Sequence, residues 1–233
     1  MSTASKEGAL AWDVMLPGKR AAQTLGPKPK GTVVIDTDEG AEYLKVPKPV
    51  ATLLNKKRNA DEIHPSSRAE LLYLVGELSK SCARARIERL INAREYSCSE
   101  VADKLYQDGY SKRVVDECVS RAKSAGLLSD ARFADSFIRS KVYAGWGMTR
   151  ISRELSRRGI DVSELPGWPY EYLDPEDEYS RAVELVRNKR VSGPNAYQKL
   201  VRYLCGRGYA LGVSTRAAQH VLAQEESGFL VDF

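Results

Sequence analysis

Histidine and cysteine are scarce in this 233-residue chain, with two of the former and four of the latter. Cys82, Cys98, Cys118 and Cys205 form no CxxC pair, and only His64 and His220 could join them as soft ligands. That pattern argues against a zinc site, and neither a metal nor another cofactor is expected. Reduced, buried thiols in a cytoplasmic protein are the expectation instead. No apolar run approaches the roughly 18 residues that a membrane span needs. The first residues also lack the hydrophobic core of an export signal. Glycine-rich phosphate loops and nucleophile–base constellations are missing too, so no catalytic residue is assigned and no enzyme is expected.

What is present is charge, unevenly spread. The net charge is only +5. Residues 81–160 hold 16 Lys/Arg against 10 Asp/Glu, residues 161–180 hold seven acids and no Lys or Arg, and residues 181–220 hold eight basic residues against one acid. Two basic blocks around an acidic break point to a polyanion or an acidic protein surface as partner. Arginines that merely solvate long helices would leave the same composition.

A repeated helix ending gives the organisation. The stretches KLYQDGY (104–110), ELSRRGI (154–160) and YLCGRGY (203–209) share Leu-x-x-x-Gly followed by Tyr or Ile. Their glycines, Gly109, Gly159 and Gly208, lie 50 and 49 residues apart. Each leucine falls three positions from a helix end with glycine just beyond it. Glycine takes the left-handed conformation there, and the next residue folds back onto the leucine. Gly126 ends a further helix that Ser111 starts. Ser97 or Ser99, Ser129 and the Asp174–Pro175 pair supply other helix starts.

The chain is therefore expected to be mainly all-α. It reads as an elongated array of three tandem three-helix units behind a small region containing a β-hairpin. The expected boundaries are a flexible segment over 1–30, a β-containing lead-in over 31–66, units at 67–126, 127–173 and 174–226, and a tail at 227–233. The lead-in holds the hairpin TVVIDTDEGAEYLKV, turning at Asp38-Glu39-Gly40, and a short helical turn in PKPVATLLN. In the second unit Pro166, Gly167 and Pro169 forbid more than a short turn where a third helix would follow. Trp168, Tyr170 and Tyr172 are expected to pack that junction down.

Projected at about 100° per residue, Phe133, Ala134, Phe137 and Ile138 form an apolar arc, with Arg132, Ser136, Arg139 and Tyr143 on the other side. In the next helix Met148, Ile151 and Leu155 share one face, and Arg150, Arg153 and Arg157 lie opposite. Phe133 and Phe137 read as core. The arginines and Tyr143 are candidates for meeting carboxylates or phosphates of a partner. The alternative is a solvated helix face, with Glu154 and Arg158 an ordinary i,i+4 pair.

The stretch 126–160 resembles the RecX family, regulators of the RecA recombinase. The resemblance is carried by Gly126-Leu127-Leu128-Ser129-Asp130, Arg132-Phe133-Ala134, Phe137, Arg139, Gly145, Gly147, Arg150, Ile151, Glu154-Leu155 and Gly159-Ile160. The segment SCSEVADKLYQDGYSKRVVDECV is similar to the family's preceding unit, and the stop at Gly208 fits its last one. The break at 166–169 departs from the family's continuous helix. The resemblance implies a cytoplasmic helical modulator, usually inhibitory, lying along the groove of the RecA–DNA filament. It would limit filament growth, strand exchange and the co-protease activity behind the SOS response. A monomer that touches RecA, and single- or double-stranded DNA beside it, is expected, with no membrane partner. A helical DNA-binding protein acting without RecA is the alternative, although one recognition helix would need no tandem stops.

Gly159→Val is expected to destabilise the second unit by more than about 1 kcal/mol through the left-handed stop. An unchanged melting temperature would contradict this.

Overall fold

The hairpin around Asp38-Glu39-Gly40 forms, and it carries a third strand. The computed structural model describes residues 10–18, 28–172, 175–187, 189, 191 and 193–229. Strands β1 (Trp12–Met15), β2 (Lys30–Thr37) and β3 (Gly40–Pro47) make an antiparallel sheet in that order. Thr37 pairs with Gly40, so the loop is two residues long, and Gly40 takes φ +123° to close it. Strand β1 lies within the segment expected to be flexible, and that expectation is corrected for Trp12–Met15. Only Val14 of its four residues is fully buried, too weak an alternation to stand out, and its pairing with Val33 stabilises it from across the sheet. Residues 1–9 and 19–27 lie outside the described residues.

Helix α1 (Lys48–Asn59) is a full 12-residue helix rather than a short turn. Pro49 falls in its first turn, where a missing N–H breaks no helical bond. Val50, Ala51 and Leu54 are completely buried. A side chain at Gly31 would run into the Ala51 methyl, so glycine lets α1 lie directly on β2.

The chain packs as two compact units, Met1–Leu128 and Ser129–Phe233. In the first, α2 (Arg68–Ile91), α3 (Cys98–Gln107) and α4 (Lys112–Ser124) share one core with the sheet and α1. Ser97, not Ser99, caps α3, in a reciprocal capping box with Glu100. Ser111 stands at the N-cap of α4 but makes no side-chain cap bond. Asp108, at the end of α3, holds both Arg86 of α2 and Lys28, which lies just ahead of β2.

The second unit contains α5 (Asp130–Tyr143) and α6 (Met148–Ser156), then a 3-10 turn at Val162–Glu164. It continues with α7 (Pro175–Arg187), α8 (Ala196–Arg207) and α9 (Leu211–Phe229). Ser129 caps α5 by accepting the Arg132 N–H at 3.2 Å. Phe133, Ala134, Ile138, Ile151, Leu155 and Ile160 form one core, and α7–α9 form another around Leu200, Leu204 and Ala217. No α-helix follows Ile160 before α7 among the described residues. Trp168 and Tyr172 pack against the α5–α6 core, but Tyr170 is 76% exposed and does not. Asp174 lies outside the described residues. Helix α9 runs to Phe229, so the tail expected from 227 begins as helix; residues 230–233 are not among those described.

The three repeated stops are the same motif in hydrogen-bond detail. Tyr110, Ile160 and Tyr209 each donate N–H at 3.1 Å to the carbonyls of Leu105, Leu155 and Leu204. Gly109, Gly159 and Gly208 take φ +94°, +73° and +94° and donate one residue further on, to Tyr106, Ser156 and Cys205. That is the Schellman pattern, with the leucine and the residue after glycine buried together. Gly126 and Gly145 repeat the bonding, at φ +71° and +76°.

Two substitutions separate conformational strain from close approach. Gly126→Ala adds a methyl in open space at positive φ and should cost about 1 kcal/mol. Gly147 has φ −86°, yet an added Cβ there would meet the backbone N of Tyr209 at 2.5 Å. Gly147→Ala should therefore cost about 2–3 kcal/mol, and thermal or urea unfolding of both variants checks the order.

Candidate partner-binding surface

The corner between α5 and α6 is built by two helix ends that face α7–α9. Helix α5 stops at Gly145, with the Trp146 N–H donated to the Lys141 carbonyl at 2.9 Å. Its terminal carbonyls receive arginines from the neighbouring bundle. Arg181 Nη2 donates to Val142 and Trp146, both at 2.8 Å, and Arg207 Nη1 donates to Ala144 at 3.1 Å. Cations at a helix C-terminus also complement its dipole. The N-terminus of α6 meets acceptors instead. Gly147 donates to the Arg207 carbonyl at 3.0 Å, Thr149 to the Gly208 carbonyl at 3.1 Å, and Met148 to Glu178 Oε1 at 2.8 Å. Glu178 is buried, and its charge suits the positive end of α6.

An aromatic column runs along this corner. Phe133 stacks on Phe137 with centroids 5.9 Å apart, and Phe137 meets Trp146 edge-on at 6.3 Å. Cations cover its outer side. Arg150 lies 3.8 Å over the Trp146 ring, Lys141 lies 5.1 Å from the same ring, and Arg158 lies 4.9 Å over Phe137. Such contacts contribute about 0.5–2 kcal/mol each, depending on desolvation. Phe133 is buried and Phe137 half-buried, both core as their spacing implied.

The six candidate contact residues do not behave alike. Arg150 turns onto Trp146, and its Nη1 reaches the Gly206 carbonyl at 3.4 Å, so it belongs to the corner rather than to an outward stripe. Arg153 is exposed and makes no ion pair among the described residues. Arg157 is exposed and pairs with Glu154 at 2.9 Å, and Arg158 pairs with the same carboxylate as expected. The hydrogen bond from Arg158, helped by the charge of Arg157, holds the Glu154 carboxyl below the usual carboxylate range. On α5, Arg139 pairs with Asp135 at 3.0 Å and reaches over Tyr172, and Arg132 is exposed near the helix start. Tyr143 is 96% exposed at the helix end. The outward set is thus Arg132, Arg139 and Tyr143 on α5, with Arg153 and Arg157 on α6.

Helical projection missed Glu178, Arg181 and Arg207. Glu178 belongs to the acidic run that opens α7, where any of several acids would serve the dipole equally, and nothing local marks the buried one. Burial also pushes the Tyr209 hydroxyl above its ordinary value, against the opposing pull of Arg181. No helix among the described residues is long and apolar enough to cross a membrane, and none of their His, Cys, Asp or Glu groups could hold a metal ion.

Residues 83–121 match the family model for the first three-helix domain of RecX, and residues 129–163 match that for the second. Regulatory protein RecX of Legionella pneumophila (strain Corby) is 30% identical over 135 residues, covering 57% of this chain and 90% of that relative. The chain belongs to the RecX family. Regulatory protein RecX of Mycobacterium sp. (strain KMS) is 34% identical over 152 residues, 63% of this chain and 82% of the relative. Two solved RecX structures share the fold. One crystal structure of regulatory protein RecX has a TM-score of 0.55 at 14% identity and covers 88% of this chain and 96% of its own. That of RecX from Lactobacillus salivarius has a TM-score of 0.53 at 20% identity, over 61% and 96%. Within the segment matching the second RecX domain, this chain has two α-helices and the start of a 3-10 turn.

Arg181→Met removes both charge-assisted bonds, to the Val142 carbonyl of α5 and to the Trp146 carbonyl just beyond it, and should cost about 2 kcal/mol or more. Arg187, whose pair with Glu184 is 3.8 Å long and exposed, serves as control. Arg187→Met should stay within about 0.5 kcal/mol of the parent by urea unfolding.

Proposed function

We propose that this RecX-family chain binds the RecA recombinase filament and restrains it. Its effects would be on filament growth, on ATP turnover and on the co-protease activity that drives the SOS response. The observation that carries this reading is the match to both RecX three-helix domains, one after the other along the chain. Relatives named regulatory proteins support a role through binding rather than catalysis. The protein acts in the cytoplasm, as a monomer, without cofactor.

The outward residues Arg132, Arg139, Tyr143, Arg153 and Arg157 form the partner-binding set of this proposal. Guanidinium forks suit carboxylates and phosphates, and an exposed tyrosine adds rigid apolar area with a polar tip. Arg150 drops out of the set because it supports the corner. The excess of basic residues over 81–160 and 181–220 favours approach to a filament that contains DNA.

Substoichiometric protein should shorten RecA filaments on single-stranded DNA and lower their ATPase rate. Arg153→Glu/Arg157→Glu should weaken that inhibition while the far-ultraviolet circular dichroism stays unchanged. Inhibition equal to that of the parent would make these arginines a solvated face. A salt-dependent shift of naked duplex without any RecA response would favour independent DNA binding instead.

A further inference from the structure

The helix stop at Gly126 is built differently from the three that close on a leucine. At Gly109, Gly159 and Gly208 the motif closes on a leucine, and the residue after glycine is buried on it, with Tyr110, Ile160 and Tyr209 only 3–5% exposed. At Gly126 the same bond forms, from the Leu127 N–H to the Ala122 carbonyl at 2.9 Å. The residue facing Leu127 is now an alanine, whose methyl cannot cover it, and Leu127 is 48% exposed. Leu128, the next residue, is buried in its place.

The space beside Ala122 is an open groove between α2 and α4, of about 160 Å³. Ile87, Ala122 and Leu127 give it an apolar floor, and Arg84, Glu88 and Arg121 stand at its rim. Arg84 and Arg121 make no ion pair among the described residues. An apolar pocket of one-side-chain size, edged by two guanidinium groups against the single carboxylate of Glu88, has the anatomy of a protein anchor site: a desolvated centre with charges of net positive sign at the margin. Nucleic acid suits it poorly. The floor offers no donor to a phosphate, and no aromatic ring lines it for a base to stack on.

We infer that this groove receives one bulky apolar side chain from a segment of the recombinase that carries carboxylates beside it. The inference rests on the proposed function and names where on this chain the contact is made. It places an anchor on α2 and α4 of the first unit, separate from the arginines of α5 and α6. Apolar burial at Leu127 holds the complex, and Arg84 and Arg121 steer the acidic segment in.

The test is co-sedimentation of the full chain with RecA filaments on single-stranded DNA, beside anisotropy titrations with the naked DNA. Leu127→Asp should bind filaments at least about tenfold more weakly, with its melting temperature unchanged because the side chain already faces solvent. Leu127→Met should bind like the parent. Arg84→Glu/Arg121→Glu should also bind more weakly and with a shallower salt dependence, and it reads the groove even if Leu127→Asp proves unstable. Parent-like filament binding by both the aspartate and the glutamate variants overturns the groove assignment and leaves the proposed function standing. An equal loss of naked-DNA binding means that nucleic acid occupies the groove, which also overturns it. Filaments that fail to sediment the parent chain remove the proposed function and the groove together.

Discussion

Helix α6 opens with three backbone N–H groups that no side chain of its own first turn satisfies, and the bundle of α7–α9 provides an acceptor for each. The carbonyls of Arg207 and Gly208 take two, and the buried carboxylate of Glu178 takes the third. A buried N–H without a partner costs a large part of a hydrogen bond's strength. Helix α6 is therefore capped only while the bundle stays in place. The same corner returns the interaction, because α5 ends on carbonyls that Arg181 and Arg207 fill. Helix dipoles of both signs are thus met by side chains of the opposite sign. Gly147 and Gly208 allow the backbones to come this close: a Cβ at Gly208 would lie 2.6 Å from the Arg150 nitrogen. The second unit is held together through this corner, although a Pro- and Gly-rich stretch separates its two sets of helices in the chain.

Arginines that look interchangeable along the sequence divide into two kinds here. Arg150, Arg181 and Arg207 spend their donors or their planar faces on carbonyls and on Trp146. Arg139 and Arg157 pair with carboxylates of their own helices, Arg139 also reaching over the Tyr172 ring, and Arg153 projects outward. Pairs of that kind contribute little to stability, so those side chains can exchange their partners for another protein's carboxylates at small cost. The proposed regulatory contact draws on this second kind. A helical wheel places Arg150 and Arg153 side by side because it reports angles about one axis. What stands across from each angle belongs to another helix.

The stops show why some of the fold was legible at once. A Schellman ending needs a glycine at one position, apolar residues at two others, and bonds that span only six residues. All of that is local, so Gly109, Gly159 and Gly208 could be read as equivalent before any packing was known. The hairpin at Asp38-Glu39-Gly40 and the capping serines Ser97 and Ser129 belong to the same class. Strand β1 and the full length of α1 do not. Each depends on β2 as a partner, and neither Trp12–Met15 nor Lys48–Asn59 carries the pattern that would announce it alone. Tyr170 stays exposed for a related reason: an aromatic near two that pack need not pack itself.

Sequence alone determined the helical character of this protein, the repeated helix endings and the resemblance to RecX, because each is written in residues close together along the chain. Tertiary structure decided which arginines are free to face a partner, that Glu178 caps α6, and that Ala122 leaves Leu127 uncovered. Those outcomes depend on which surfaces meet across the fold. A side chain's burial and its hydrogen-bond partners are properties of that meeting, and no local pattern encodes them.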